Sequence, residues 1–279
     1  VPHSRNAGAR QIRIARGLTG RDTIVVTGYD YGHAATGIGL FDIDAAGAIR
    51  YRQTYYLRSD DYYSASNSTS RLVGDTLVFY APLRLYSWSM ASKSFYPSVA
   101  RATGTAAKPD YLPTLATERI YRSSREPMRL DDGPSLHVVT RCKIASPELA
   151  CQSSAVLGPD SREFYVSGDA VYVWTSARRA SNAQQAPASS VYRLPFDGSA
   201  PRSLQTQGGP IDQFSFLQDA GGYLNVLIVA DSKGGGMWSS ERNQGATALL
   251  RVPLTAFGGL GATADRSDYH PLPRASGSS

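Results

Sequence analysis

The chain has 279 residues, 42% of them hydrophobic and only 19% charged, with 26 Gly, 16 Pro and 17 Tyr; that length buries one large core or two small ones, and the abundant turn and β-forming residues without long amphipathic runs point to an all-β protein. The formal net charge is +6, but the arginines are scattered (Arg10, Arg13, Arg16, Arg50, Arg52, Arg71, Arg122, Arg129), with one doublet at Arg178 and Arg179, which reads as solvated charge rather than a specific nucleic-acid surface. No apolar run approaches the roughly 20 residues needed to span a bilayer.

In chain order, residues 1–10 read as a polar, flexible start, and 11–16 as a short strand. Residues 23–29 (Thr-Ile-Val-Val-Thr-Gly-Tyr) read as a buried strand, followed by the loop Asp30-Tyr31-Gly32-His33. Strands at 37–44 and 48–57 follow, joined by Ala45-Ala46-Gly47. Residues 72–80 (Leu-Val-Gly-Asp-Thr-Leu-Val-Phe-Tyr) parallel 166–174 (Val-Ser-Gly-Asp-Ala-Val-Tyr-Val-Trp). Between them, Pro109, Pro113 and Pro127 break the pattern over 98–134, predicting a long connection with one short strand at 120–122.

The strongest pattern is 163–202. It predicts a short strand, a Gly-Asp turn, a longer alternating strand, a polar loop, a third strand and an Asp-Gly turn into a fourth. Tyr172 and Trp174 share one pleat face while Val171 and Val173 share the other, so both faces are apolar. A four-stranded antiparallel unit buried on both faces must stack against others like it, which is the logic of a β-propeller blade. Second strands are expected to begin near Thr23, Asp75, Leu136, Asp169 and Gly222, separated by 52, 61, 33 and 53 residues, around the 40–50 of such repeats. The expectation is an all-β, β-propeller-like array of about five blade-like units over 11–260, the third abbreviated. Residues 261–279, rich in Gly, Ala, Ser and Pro, read as a flexible tail or linker.

Gln213-Phe214-Ser215, then Asp219 with Gly221-Gly222, then the strand 223–230 form a run that resembles the bacterial secreted β-propeller domain family, distant relatives of WD40 proteins. Residues 163–198 fit the same pattern. The resemblance implies a propeller fold and an exported location, and brings no agreed catalytic motif.

Cys142 and Cys151 flank a turn-like segment. If 136–141 and 152–157 pair as a hairpin, the two face one another as a disulfide, which suits a periplasmic or extracellular protein; the alternative is two buried thiols. Because the chain begins at Val1 rather than Met, it reads as a processed product or a piece of a longer protein.

Loops joining equivalent strands of successive blades emerge on one face. The second-to-third-strand loops are expected at 30–36, 81–82, 143–149, 176–189 and 231–245. The first carries Tyr31 and His33. The fourth carries Arg178 and Arg179, for anion or partner contacts or simply as a polar loop. The last holds Met237 and Trp238, with Arg242, in a Gly-rich stretch: either a contact anchor or a Trp folded back on the rim. Asp42, Asp44 and Gly47 only faintly echo a calcium loop, and no metal site or cofactor is expected. No Gly-x-Ser-x-Gly or phosphate loop is present, so no catalytic residue is assigned.

The leading expectation is an exported, non-catalytic binding or scaffold module whose rim loops meet a protein or a glycan. The alternatives are a propeller-type glycan hydrolase with carboxylates at a central opening and an accessory subunit of a cell-envelope assembly.

Overall fold

A computed structural model describes residues 7–15, 22–30, 32–33, 35–58, 70–85, 96–103, 109–122, 134–160, 162–176, 188–229, 247–259 and 262–273. Strands β1 (Ala7–Ala15), β2 (Asp22–Asp30), β3 (Ala35–Ile43) and β4 (Ile49–Arg58) come first, then the hairpin β5 (Ser70–Val73) and β6 (Thr76–Arg84). Three shorter strands follow: β7 (Ser98–Arg101), β8 (Leu112–Pro113) and β9 (Leu115–Tyr121). Next come β10 (Pro134–Lys143), β11 (Ala150–Pro159), β12 (Arg162–Val166), β13 (Ala170–Ser176), β14 (Ala188–Pro195) and β15 (Arg202–Gln207). The chain closes with β16 (Gly209–Pro210), β17 (Phe216–Gln218), β18 (Tyr223–Val229), β19 (Thr247–Pro253) and β20 (Tyr269–Pro271). No described helix is long and apolar enough to cross a membrane.

The fold is all-β and propeller-like. Its strands form four sheets, ordered β1-β2-β3-β4-β7-β8, β5-β6-β10-β11-β9, β12-β13-β14-β15 and β16-β18-β19-β20, with β17 also paired to β18. The residues group into two compact units: one takes the described residues through Ile120 together with His137–Ala155, and the other takes the remaining described residues.

Within each unit, two sheets pack face to face through alternate side chains. In the first, Val25, Ile38, Leu40 and Leu57 meet Leu77, Phe79, Ile144 and Leu149. In the second, Tyr172, Trp174, Val191 and Leu204 meet Phe216, Leu224, Val226, Leu250 and Val252. Every residue of β13 is buried, Val171 and Val173 as fully as Tyr172 and Trp174. An apolar run on both pleat faces is satisfied only by cover on both sides.

The turns follow from their residues. Asp44 Oδ1 accepts from the backbone N–H of Ala46 and Ala48 at 3.0 and 2.9 Å, and Gly47 takes φ 81°, a left-handed conformation that glycine adopts without strain. Cys142 and Cys151 form a disulfide across β10 and β11, with Cα atoms 4.1 Å apart.

Five expectations need correction. The strands read as a second and an abbreviated third unit lie in one sheet, because the connection after β6 supplies edge strands to both neighbouring sheets before β10 returns. The turn at 143–149 therefore joins third and fourth strands, and it sits at the β5–β6 end, where Ile144 N–H donates to Asp75 O at 3.0 Å. Within 98–134, pairing extends over β7, β8 and β9 rather than 120–122 alone. Finally, the expected tail contributes β20, whose three residues pair with β19; three residues are too few to show an alternation. At the other end, β1 starts at Ala7, with a bulge between Ala9 and Gln11.

Candidate functional site

Several described acids are held by cations in a repeated arrangement. In the last three sheets, an Asp in the turn before the second strand pairs with a base on the third: Asp75 with Lys143 at 2.9 Å, Asp169 with Arg193 at 2.7 Å, and Asp219 with Arg251 at 2.7 Å. The first sheet substitutes Asp42 on β3, paired with Arg52 of β4, whose guanidinium also donates to Thr23 Oγ1 and Ile144 O. Asp42 is thus ion-paired, and Asp44 caps its turn. Among the described residues, no three His, Cys, Asp or Glu side chains group as metal ligands.

A different arrangement stands at the β2–β3 end of the first sheet. Asp30 pairs across the strands with Ala35, and Ala35 with Arg58; one row below, Gly28 pairs with Gly37 and Gly37 with Tyr56. Cross-strand partners share a face, so Asp30, Arg58 and Tyr56 rise on the same side. The Asp30 carboxylate is turned into its own loop, with its Oδ1 accepting from Gly32 N–H at 2.8 Å and His33 N–H at 3.2 Å. Its Oδ2 lies 3.1 Å from His33 Nδ1, an ion-pair distance without hydrogen-bond alignment. Gly32 permits this closure, since a Cβ there would meet Asp30 Oδ1 at 3.3 Å.

The loop so braced lays the His33 ring on Tyr56, with centroids 4.2 Å apart and planes within 19°. His33 keeps about a third of its side chain in solvent (32%) while Asp30 keeps 7%. Beside them the Arg58 guanidinium lies 3.8 Å above the ring of Tyr111, within cation–π range. Burial, then the charge of Asp30, push the Tyr56 hydroxyl above its usual pKa. Burial also raises Tyr111, against the lowering effect of Arg58 and with a smaller push from Asp30. Both phenols are thus neutral hydrogen-bond donors at physiological pH.

Of the residues singled out in the sequence, this cluster takes in His33. Tyr31, Arg178, Arg179, Met237, Trp238 and Arg242 lie outside the described residues. Sequence reasoning missed Tyr56, Arg58 and Tyr111. The alternation on β4 signals that Tyr56 and Arg58 share a face, but nothing local signals that residues 109–111 return beside them.

No curated protein matches the chain. Two variants of the Synechocystis apocarotenoid oxygenase share 10% identity with it, covering 96% of this chain and 70% of theirs, with TM-scores of 0.35 and 0.33; so loose a likeness carries no assignment. The sheet pattern has its counterpart in one family, described as a beta propeller domain, which matches residues 16–262, and the chain belongs to that family.

Proposed function

We propose that this protein is an exported β-propeller module that binds a glycan or protein partner without transforming it. The observation that carries the reading is the His33–Tyr56–Arg58–Tyr111 cluster: aromatic rings and a guanidinium gathered at the β2–β3 end of the first sheet, with the neighbouring carboxylate turned inward. Rigid aromatic rings beside an Arg are the side chains that dominate binding energy at contact surfaces. The Cys142–Cys151 disulfide supports export, since such bonds persist in oxidising compartments. A glycan hydrolase needs two carboxylates flanking the scissile bond; five of the described ones, Asp42, Asp75, Asp160, Asp169 and Asp219, are ion-paired instead.

The reading is tested with an immobilised panel of oligosaccharides and envelope proteins, comparing the wild type with His33→Ala/Tyr56→Ala. Retention that falls at least tenfold in the folded variant supports it. Equal retention of the two proteins on every member overturns it.

A further inference from the structure

One edge of the second sheet carries a surface that does not depend on the binding reading above. We infer that β9 is a self-association edge. A second copy of this chain pairs its own β9 antiparallel to it, about a two-fold axis at Ile120, and joins two sheets into one.

The open backbone is the first observation. β9 ends its sheet, with β11 on one side and no described strand on the other. Ala116, Thr117 and Glu118 are exposed, and Arg119 to Arg122 are half-buried. An edge strand of this kind presents a row of N–H and C=O groups that another strand can satisfy.

The charge pattern is the second observation, and it selects the occupant. Successive residues of a strand alternate between faces, so Ala116, Glu118, Ile120 and the following Arg122 share one side. Around a two-fold axis normal to the sheet, directly opposed residues share a face, and each register is defined by the residue that meets its own copy. Centring on Glu118 sets carboxylate against carboxylate, and centring on Arg119 sets guanidinium against guanidinium; both are destabilising. Centring on Thr117 sets Glu118 against Ala116, and centring on Tyr121 carries Glu118 past the end of the strand. Centring on Ile120 sets the two isoleucines together and flanks them on either side by Glu118 against Arg122 of the second copy. On the other face, Arg119 keeps its bond to Ser154 Oγ at 3.3 Å and stands opposite Tyr121 of the second copy, with no like charge opposed.

Both members of the ion pair are available. The Glu118 carboxylate is exposed and accepts through Oε1 from the Thr117 hydroxyl at 3.1 Å, which leaves Oε2 for a cation. Arg122 is paired with no carboxylate among the described residues. A strand from another protein would have to bring an acid and a base at matching spacing, whereas a second copy brings them by symmetry.

The test is sedimentation equilibrium of the whole chain, with thiol crosslinking to read the register. Glu118→Arg and Arg122→Glu each oppose like charges, and each should weaken the dimer at least tenfold. The double swap Glu118→Arg/Arg122→Glu should return it to within about threefold of the wild type. Cys142 and Cys151 are bonded to one another, so an added cysteine is the reactive thiol. Ile120→Cys should oxidise to a covalent dimer, because directly opposed Cβ atoms lie about 5 Å apart. Glu118→Cys should not, since its two copies stand four residues apart along the strands, about 13 Å. A wild type that stays monomeric up to about 1 mM overturns the inference and leaves the edge to a strand of another protein. Single swaps that dimerise like the wild type, a double swap that restores nothing, or equal crosslinking of the two cysteine variants also overturn it.

Discussion

Arg251 Nη1 lies 2.7 Å from Asp219 Oδ2, tying the third strand of the last sheet back to the turn before its second. The same carboxylate accepts from Asn225 Nδ2 at 3.1 Å and, through Oδ1, from Tyr223 N–H at 3.0 Å, while the guanidinium lies 4.0 Å over the Tyr223 ring. Arg193 and Asp169 repeat the arrangement one sheet earlier. Each pair fixes the strand register of its sheet, because a slip of one residue would carry the Arg to the opposite face.

The pH dependence of this brace has a definite sign. The bond from Asn225, then that from Tyr223 N–H and the contact with Arg251, hold the Asp219 carboxyl down to about 2, below the ordinary value of about 3.9. A carboxylate depressed on folding contributes stability that is present above its unfolded pKa and lost as pH falls through the folded one. Asp219→Asn is therefore expected to be less stable than the wild type near pH 6, with the difference closing between about pH 4 and about pH 2. Urea unfolding across that range checks it, and a difference that stays constant would count against the brace.

The disulfide closes a loop whose ends are nine residues apart. Loop-closure entropy assigns such a bridge about 2.5 kcal/mol. Replacing both cysteines with Ser should lower stability by about that amount, and thiol titration of the denatured, unreduced wild type should find no free Cys. Two titratable thiols would remove the disulfide and the support it lends to export.

Burial sorts the large apolar residues. Trp174 is 1% exposed between two sheets, whereas Leu112 is 63% exposed on a short edge strand. Trp174→Ala is expected to cost about 3–5 kcal/mol through lost transfer energy and the cavity left behind. Leu112→Ala should stay within about 0.5 kcal/mol of the wild type. Denaturant midpoints of the two variants decide the point, and comparable losses would mean that the second unit is not held by sheet-on-sheet packing.

Much of this architecture is legible in the residues themselves. Val171 to Trp174 announce a strand buried on both faces, Asp44 and Gly47 announce their turn, and the two cysteines announce a hairpin. What was not legible depends on long-range pairing. Leu136 reads as the start of its own unit because the β6–β10 neighbourhood spans a connection of nearly fifty residues, whose own strands join other edges. Tyr269 to Pro271 are too short to alternate and are defined by pairing with β19. Likewise, His33 stands out as a loop residue, but Tyr56 and Tyr111 look like packing aromatics until the fold stacks one ring under it and sets the other beneath Arg58.

Gly32 offers a probe of the site that leaves its contact side chains in place. Gly32→Ala puts a methyl 3.3 Å from Asp30 Oδ1, so the carboxylate that braces His33 must give by a few tenths of an ångström. The expected result is a several-fold loss of binding with little change in melting temperature. A large fall in melting temperature would show that the loop braces the sheet instead of presenting the ring.

The most direct test of the central claim is retention of the wild type and of the His33→Ala/Tyr56→Ala variant on one immobilised panel of oligosaccharides and envelope proteins, with folding of both checked by circular dichroism. A contact surface built on the stacked pair predicts at least a tenfold loss of retention in the variant, about 1.4 kcal/mol, on whichever member holds the wild type. Identical retention of the two proteins throughout the panel would contradict it.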